Sequence, residues 1–210
     1  VSVIDTEARA VMGTVTVGKG PEGLASSPSG DFVYVANSAS KTVSVINTGT
    51  NTVTATVSVG FGPVDVAFTP SGNFAYASNT SSNNVSVIDT ATRTVAATVT
   101  VGSAPQGVAV TANGLLTYVT NSFGSSVSVI STATNTIAPT ISVGVSPVDV
   151  AVTQAGRAYV TNYASNTVSV IDTGRTAVVV AVTVGAGANP YGVAVNPAGT
   201  RVYVTNNAAP

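Results

Sequence analysis

Apolar and polar residues alternate along most of this chain in short runs, and each run closes on Gly, Pro, Asn, Asp or Ser. That is the period of half-buried strands broken by tight turns, and no stretch carries the 3.6-residue spacing of an amphipathic helix. The segment from Gly107 to Gly144, GVAVTANGLLTYVTNSFGSSVSVISTATNTIAPTISVG, shows the pattern in full. It predicts four successive strands, GVAV, LTYVTN, SVSVI and TIAPTISV, in which Val, Ile and Thr dominate. Such β-branched side chains suit a pleated surface packed on both sides.

The pattern repeats. VSVI starts at Val1, Val43, Val85, Val127 and Val168, at separations of 42, 42, 42 and 41 residues. Pro21, Pro63, Pro105, Pro147 and Pro190 keep the same step, and so do Asn37, Asn79, Asn121, Asn162 and Asn206, which close YVAN, YASN, YVTN, YVTN and YVTN. A period near 42 built from four strands fits a blade of a β-propeller, since solenoids of similar period are helical. In each blade the first strand is expected innermost and the fourth outermost. Ser29-Gly30, Ser71-Gly72, Asn113-Gly114, Ala155-Gly156 and Ala198-Gly199 mark a tight hairpin between the first and second strands, where Gly admits positive φ.

The expected fold class is therefore all-β, a single propeller domain over residues 1–210. Its parts would be an N-terminal half-blade over 1–18, blades over about 19–60, 61–102, 103–144 and 145–185, and a C-terminal half-blade over 186–210. The chain opens on a third strand and closes on a second strand, so its ends are complementary halves. Pairing VSVID with the last YVTN strand would complete a fifth blade, close the ring and favour a monomer. Left apart, the ends expose strand edges and Val-rich faces, and the same matching ends would also fit five repeats cut from a longer propeller.

VSVIDTATRTVAATVTVGSAPQGVAV followed by YVTN resembles the YVTN β-propeller repeat over essentially the whole chain. The resemblance implies a propeller and kinship with archaeal surface-layer proteins and exported bacterial proteins. It also implies that seven blades are the commoner count, against the five repeats present here.

Composition narrows the chemistry. Only 7% of residues are charged and the net charge is −1, so the basic field that nucleic-acid binding needs is lacking. No apolar run reaches the ~20 residues of a spanning helix, so membrane insertion by helices is not expected. The chain has no Cys and no His. Thiolate nucleophiles, thiolate metal sites, and the commonest metal ligand and general base are thereby excluded. The glycines sit in hairpins and none opens a helix, so no nucleotide cofactor is expected. A Ser- and Thr-rich, weakly charged surface, together with the resemblance, points to an extracellular or cell-surface location.

Residues present in every copy read first as scaffold. The shared Asn is expected to bond local backbone in the turn after the second strand, and Asp5, Asp89 and Asp172, replaced by Asn47 and Ser131 in the other copies, to form turns. Candidate chemistry lies where the copies disagree, in the connections VGKGPEG, VGFGPVD, VGSAPQG, VGVSPVD and VGAGANPYG. The resemblance implies that these connections ring one mouth of the channel, which would bring Glu22, Asp65, Gln106, Asp149, Asn189 and Tyr191 together there, with Phe61 in the same set. The loops after the second strands add Phe123 and Tyr163. Oxygen atoms there suit a polar ligand, or a hard cation such as calcium, though no metal or other cofactor is assigned. Alternatively, Asp65 and Asp149 accept hydrogen bonds from loop amides. No catalytic residue is assigned. The expected function is a binding or display module that presents this face to a glycan, peptide or protein. The alternative is a carboxylate- or metal-dependent hydrolase or lyase at the same mouth.

Overall fold

A computed structural model describes residues 1–208. The alternating runs become 20 strands, and among the described residues there is no helix. β1 (Ser2–Asp5) and β2 (Ala10–Thr14) form a two-stranded sheet. Four-stranded sheets follow. The first is β3 (Pro21–Ser26), β4 (Phe32–Asn37), β5 (Thr42–Asn47) and β6 (Thr52–Ser58), and the second is β7 (Pro63–Phe68), β8 (Phe74–Asn79), β9 (Asn84–Asp89) and β10 (Thr94–Thr100). The third is β11 (Pro105–Val110), β12 (Leu116–Asn121), β13 (Ser126–Ser131) and β14 (Thr136–Ser142). The fourth is β15 (Pro147–Val152), β16 (Arg157–Asn162), β17 (Thr167–Asp172) and β18 (Ala177–Thr183). β19 (Pro190–Val195) and β20 (Val202–Asn206) make the last, two-stranded sheet. Each sheet is an antiparallel meander in sequence order, as short hairpins dictate.

The strands β3, β7, β11, β15 and β19 stand in a row, each packed against the next. One face of each sheet lies on the opposite face of its successor. Tyr34, Ala36, Val43, Val45 and Val57 of the first full blade share a core with Val66, Ala75, Ala77 and Ile88 of the second. The same positions recur between the second and third blades and between the third and fourth. This stacking of Val and Ile on Tyr and Ala sets the turn from blade to blade.

The architecture is a β-propeller arc, and the expected closure is not made. Among the described residues β1 pairs only with β2, and β20 only with β19. After five innermost strands the row has not come round, and no packing comparable to that between neighbours joins β19 to β3. The N-terminal half-blade instead packs its Val15 against Val35 and Ile46 of the first full blade.

Turn chemistry explains the copies locally. Asp5, Asp89 and Asp172 each accept two backbone amide hydrogens from the turn that follows them, and Asn47 accepts one from Thr50. The outer hairpins place one residue in the left-handed region, Arg9, Asn51, Arg93, Asn135 and Thr176 in turn. Thr176, at φ 49°, is the β-branched member of that set, and branching at Cβ makes this conformation costly. Thr176→Asn is expected to stabilise the protein by about 1 kcal/mol, raising the melting temperature by roughly 3 °C in a calorimetric scan.

Candidate functional site

The connections between blades enter each innermost strand through a recurring kink. Gly20, Gly62, Ala104, Ser146 and Asn189 all have positive φ immediately before the shared proline. The kink sets the first residues of the five innermost strands side by side at one end of the row. There they line a recess of about 280 Å³, made by Glu22, Gly23, Val64, Asp65, Gln106, Gly107, Val148, Asp149, Tyr191 and Gly192. Five of the residues expected from the sequence therefore meet: Glu22, Asp65, Gln106, Asp149 and Tyr191.

The two aspartates have a definite structural role. Asp65 accepts the amide hydrogen of Val66 at 2.9 Å and, through its other oxygen, that of Val108 on the next blade at 3.0 Å. Asp149 repeats the arrangement with Val150 at 2.8 Å and Val193 at 2.8 Å. Each carboxylate is thus a clamp between neighbouring innermost strands. The glycines at the same repeat position make room for it. A Cβ on Gly23 would lie 2.5 Å from the Val64 carbonyl oxygen and 2.8 Å from the Asp65 Cα, and one on Gly107 would lie 2.8 Å from the Asp149 Cα. The order Gly23, Asp65, Gly107, Asp149, Gly192 is an alternation of clamp and clearance.

Burial pushes the Asp65 carboxyl up to about 6 from an ordinary 3.8, against the opposing pull of its two amide bonds, and the Asp149 charge adds to the rise. Burial raises Asp149 as well, again against its two amide donors. Glu22 is exposed on the rim. The three carboxylates share the recess without clustering, and no group of three or more His, Cys, Asp or Glu able to hold a metal ion occurs among the described residues.

A second bridge runs behind the aspartates, from the third residue of the YVTN phrase. Thr120 donates its hydroxyl to the Val148 carbonyl of the next blade at 2.8 Å while accepting the Gly107 amide hydrogen at 2.9 Å. Thr161 does the same towards Tyr191 and Asp149. Ser78 donates to the Gln106 carbonyl. In the first full blade the position is Ala36, and this bridge is missing. Sequence reasoning treated YVTN as a marker and missed this contact. The signal available was a hydroxyl, Ser or Thr, in four of the five phrases.

The shared Asn has a different partner from the one expected. Asn37, Asn79, Asn121 and Asn162 are fully buried and donate across to the third strand, Asn37 to the hydroxyls of Thr42 and Ser44 and the others to their equivalents. They fasten the second strand to the third, and they are not backbone turn formers.

The aromatic residues divide. Tyr191 lines the recess and is 51% exposed, and its ring meets that of Tyr163 edge to face at a centroid distance of 6.4 Å. Phe61 lies apart, under the Lys41 ammonium at 4.0 Å, in a separate hollow with Ser82, Asn84 and Thr98. Phe123 is 83% exposed and is not part of the recess. Asn189 serves the kink, with its amide bonded to the Asn166 side chain at 2.9 Å.

A family model described as "Lactonase, 7-bladed beta-propeller" matches residues 18–95. The fold is similar to that of hydrazine synthase from Kuenenia stuttgartiensis, with a TM-score of 0.85 and 27% identity over 94% of this chain. This chain spans 59% of that one. It also resembles a functionally unknown protein from Desulfotomaculum acetoxidans, with a TM-score of 0.87 and 20% identity, over 98% of this chain and 68% of the other. No curated protein matches.

Proposed function

We propose that the protein is a binding module of the YVTN-repeat type that presents the recess and its tyrosine pair to a glycan, peptide or protein outside the cell or at its surface. The observation that carries this reading is Tyr191. It stands half exposed in the recess that Gln106 and Glu22 also line, its ring packed edge to face with that of Tyr163, in a place where the other blades carry Glu, Val or Gln and the scaffold asks for no aromatic. An apolar ring next to free polar atoms is the usual composition of a site that selects by shape and hydrogen bonding. The aspartates support the reading from the other side. Each spends both oxygens on backbone amides, which suits a rigid floor better than an acid or base that must approach a substrate.

A lactone hydrolase is the second reading, favoured by the family match over residues 18–95, which include both Glu22 and Asp65, and by an Asp65 carboxyl that titrates near 6. One pair of variants separates the two. Tyr191→Ala is expected to weaken binding about tenfold or more on glycan and peptide arrays, the loss typical of a central aromatic anchor, with the circular dichroism spectrum unchanged. Turnover of a lactone panel that disappears in Asp65→Asn while array binding is unaffected would establish the hydrolase instead.

A further inference from the structure

A hollow of about 200 Å³ lies between the first and second full blades, at the opposite end of the innermost strands from the recess. Its walls are the rings of Phe32, Tyr34 and Phe68, with Ser29, Ser71 and Asn73 in its polar lining. The volume is about seven waters' worth of liquid, the room of one six-membered ring with a short substituent. Phe68 ends β7 where β11 and β15 end on Val110 and Val152, so the third ring is particular to this seam.

Hydrogen bonding here differs from that at the later seams. Tyr76, the equivalent of Tyr34 in the second full blade, donates its hydroxyl to the Asn135 side chain in the outer hairpin of the third at 2.9 Å. Tyr118 turns its hydroxyl to the Thr173 carbonyl at 3.5 Å. At the first seam the residue in the place of Asn135 is Arg93. A guanidinium carries only donors, so it cannot accept the phenolic hydrogen. Tyr34 is 2% exposed, and its hydroxyl has no hydrogen-bond partner among the described residues.

Arg93 is equally uncommitted. Its guanidinium stands 4.9 Å from the centre of the Phe32 ring, and among the described residues no carboxylate forms an ion pair with it. Burial holds the Tyr34 phenol above its ordinary value, the Arg93 charge opposes that rise and the Asp89 charge adds to it, so the hydroxyl keeps its proton at neutral pH. Asp89 turns its Oδ1 to the amide hydrogens of Ala91 and Thr92. Two donors, a buried hydroxyl and a guanidinium beside a wall ring, thus serve one aromatic hollow that supplies neither with an acceptor.

We propose that this hollow binds a small aromatic carboxylate, its ring against Phe32, Tyr34 and Phe68 and its oxygens accepting from the Tyr34 hydroxyl and the Arg93 guanidinium. Edge-to-face ring packing and a planar, charge-assisted contact to a carboxylate are what these side chains offer. The site is separate from the recess and does not depend on what the recess binds.

Benzoate is the probe, titrated into the unmodified protein by NMR, with benzamide and acetate as uncharged and ringless controls. Saturable shifts centred on the amides of Phe32, Phe68 and Ala91 are expected, with benzoate binding at least about tenfold tighter than either control. Arg93→Asn, which installs the side chain found at Asn135, should weaken benzoate binding about tenfold, and Tyr34→Phe about fivefold, with the circular dichroism spectrum unchanged. Arg93→Lys, which keeps the charge, should lose less than Arg93→Asn. Shifts centred on the recess, no saturation at about 10 mM benzoate, or binding that Arg93→Asn and Tyr34→Phe both leave unchanged would overturn the proposal. Benzamide binding as tightly as benzoate would overturn the choice of an anion.

Discussion

Gly23→Ala is expected to cost about 3 kcal/mol and to lower the melting temperature by roughly 10 °C. The new methyl would sit 2.5 Å from the Val64 carbonyl oxygen and 2.8 Å from the Asp65 Cα. Both are backbone atoms of the adjacent innermost strand, so no side-chain rotation relieves the contact and the two blades must separate. Separation in turn strips packing from the core that Tyr34 and Val45 share with Val66 and Ala77. A matched control is Gly13→Ala in β2, where a Cβ meets nothing within 4 Å. Thermal unfolding of the two variants side by side makes the comparison. Equal stabilities would show that the glycine clearances do not hold the blades at their spacing.

Stability is expected to fall, not rise, as pH goes from about 4 to about 6. Asp65 has its carboxyl raised from 3.8 to about 6 by burial, so the folded protein holds this proton more tightly than the unfolded chain. A group shifted in that direction contributes stability that is complete below its unfolded value and is lost as pH passes its folded value. Asp149 is shifted the same way by the same cause. The loss from Asp65 is on the order of 2 kcal/mol, and the curve should flatten above about pH 7. Asp89 and Asp172, whose carboxyls are held below the usual range by hydrogen bonds and, for Asp172, by Arg157, act in the opposite direction, but only below about pH 4. Denaturant titrations of the unmodified protein and of Asp65→Asn at pH 4, 5, 6 and 7 test this. The variant should lose most of the slope, and an unchanged slope would move its origin to other groups.

The strands were legible because every copy repeats the same period-two alternation, and the fixed spacing of VSVI, Pro and Asn aligned the blades before any pairing was known. Closure was not legible. It depends on the angle between packed sheets, which side-chain volume at positions such as Tyr34 and Val66 sets in three dimensions and which no repeat count contains. Within the site, the meeting of Glu22, Asp65, Gln106, Asp149 and Tyr191 follows from equivalent repeat positions, and so it was readable. The use made of the aspartates was not, because the acceptor on Asp65 serves an amide 43 residues away, on Val108. Phe61, Phe123 and Asn189 were grouped with the recess because their loops recur beside it. The direction of a side chain from a loop is fixed by local backbone, as the positive φ of Asn189 shows.

The seam between the first and second full blades is built from different forces than those after it. It has Gly23, as the seam between the third and fourth full blades has Gly107, and, unlike every later seam, Ala36 in place of a bridging hydroxyl. Its own contacts include the Tyr34 and Phe68 rings, edge to face at 4.8 Å, and the Arg93 guanidinium 4.9 Å from the centre of the Phe32 ring. Apolar and aromatic contact owes much of its strength near room temperature to water, and that contribution fades on cooling, whereas hydrogen bonds between strands do not depend on it in the same way. The molecule therefore carries a thermal polarity along its arc. Cooling is expected to weaken this seam more than the later ones, which share the apolar packing but add hydrogen bonds between blades.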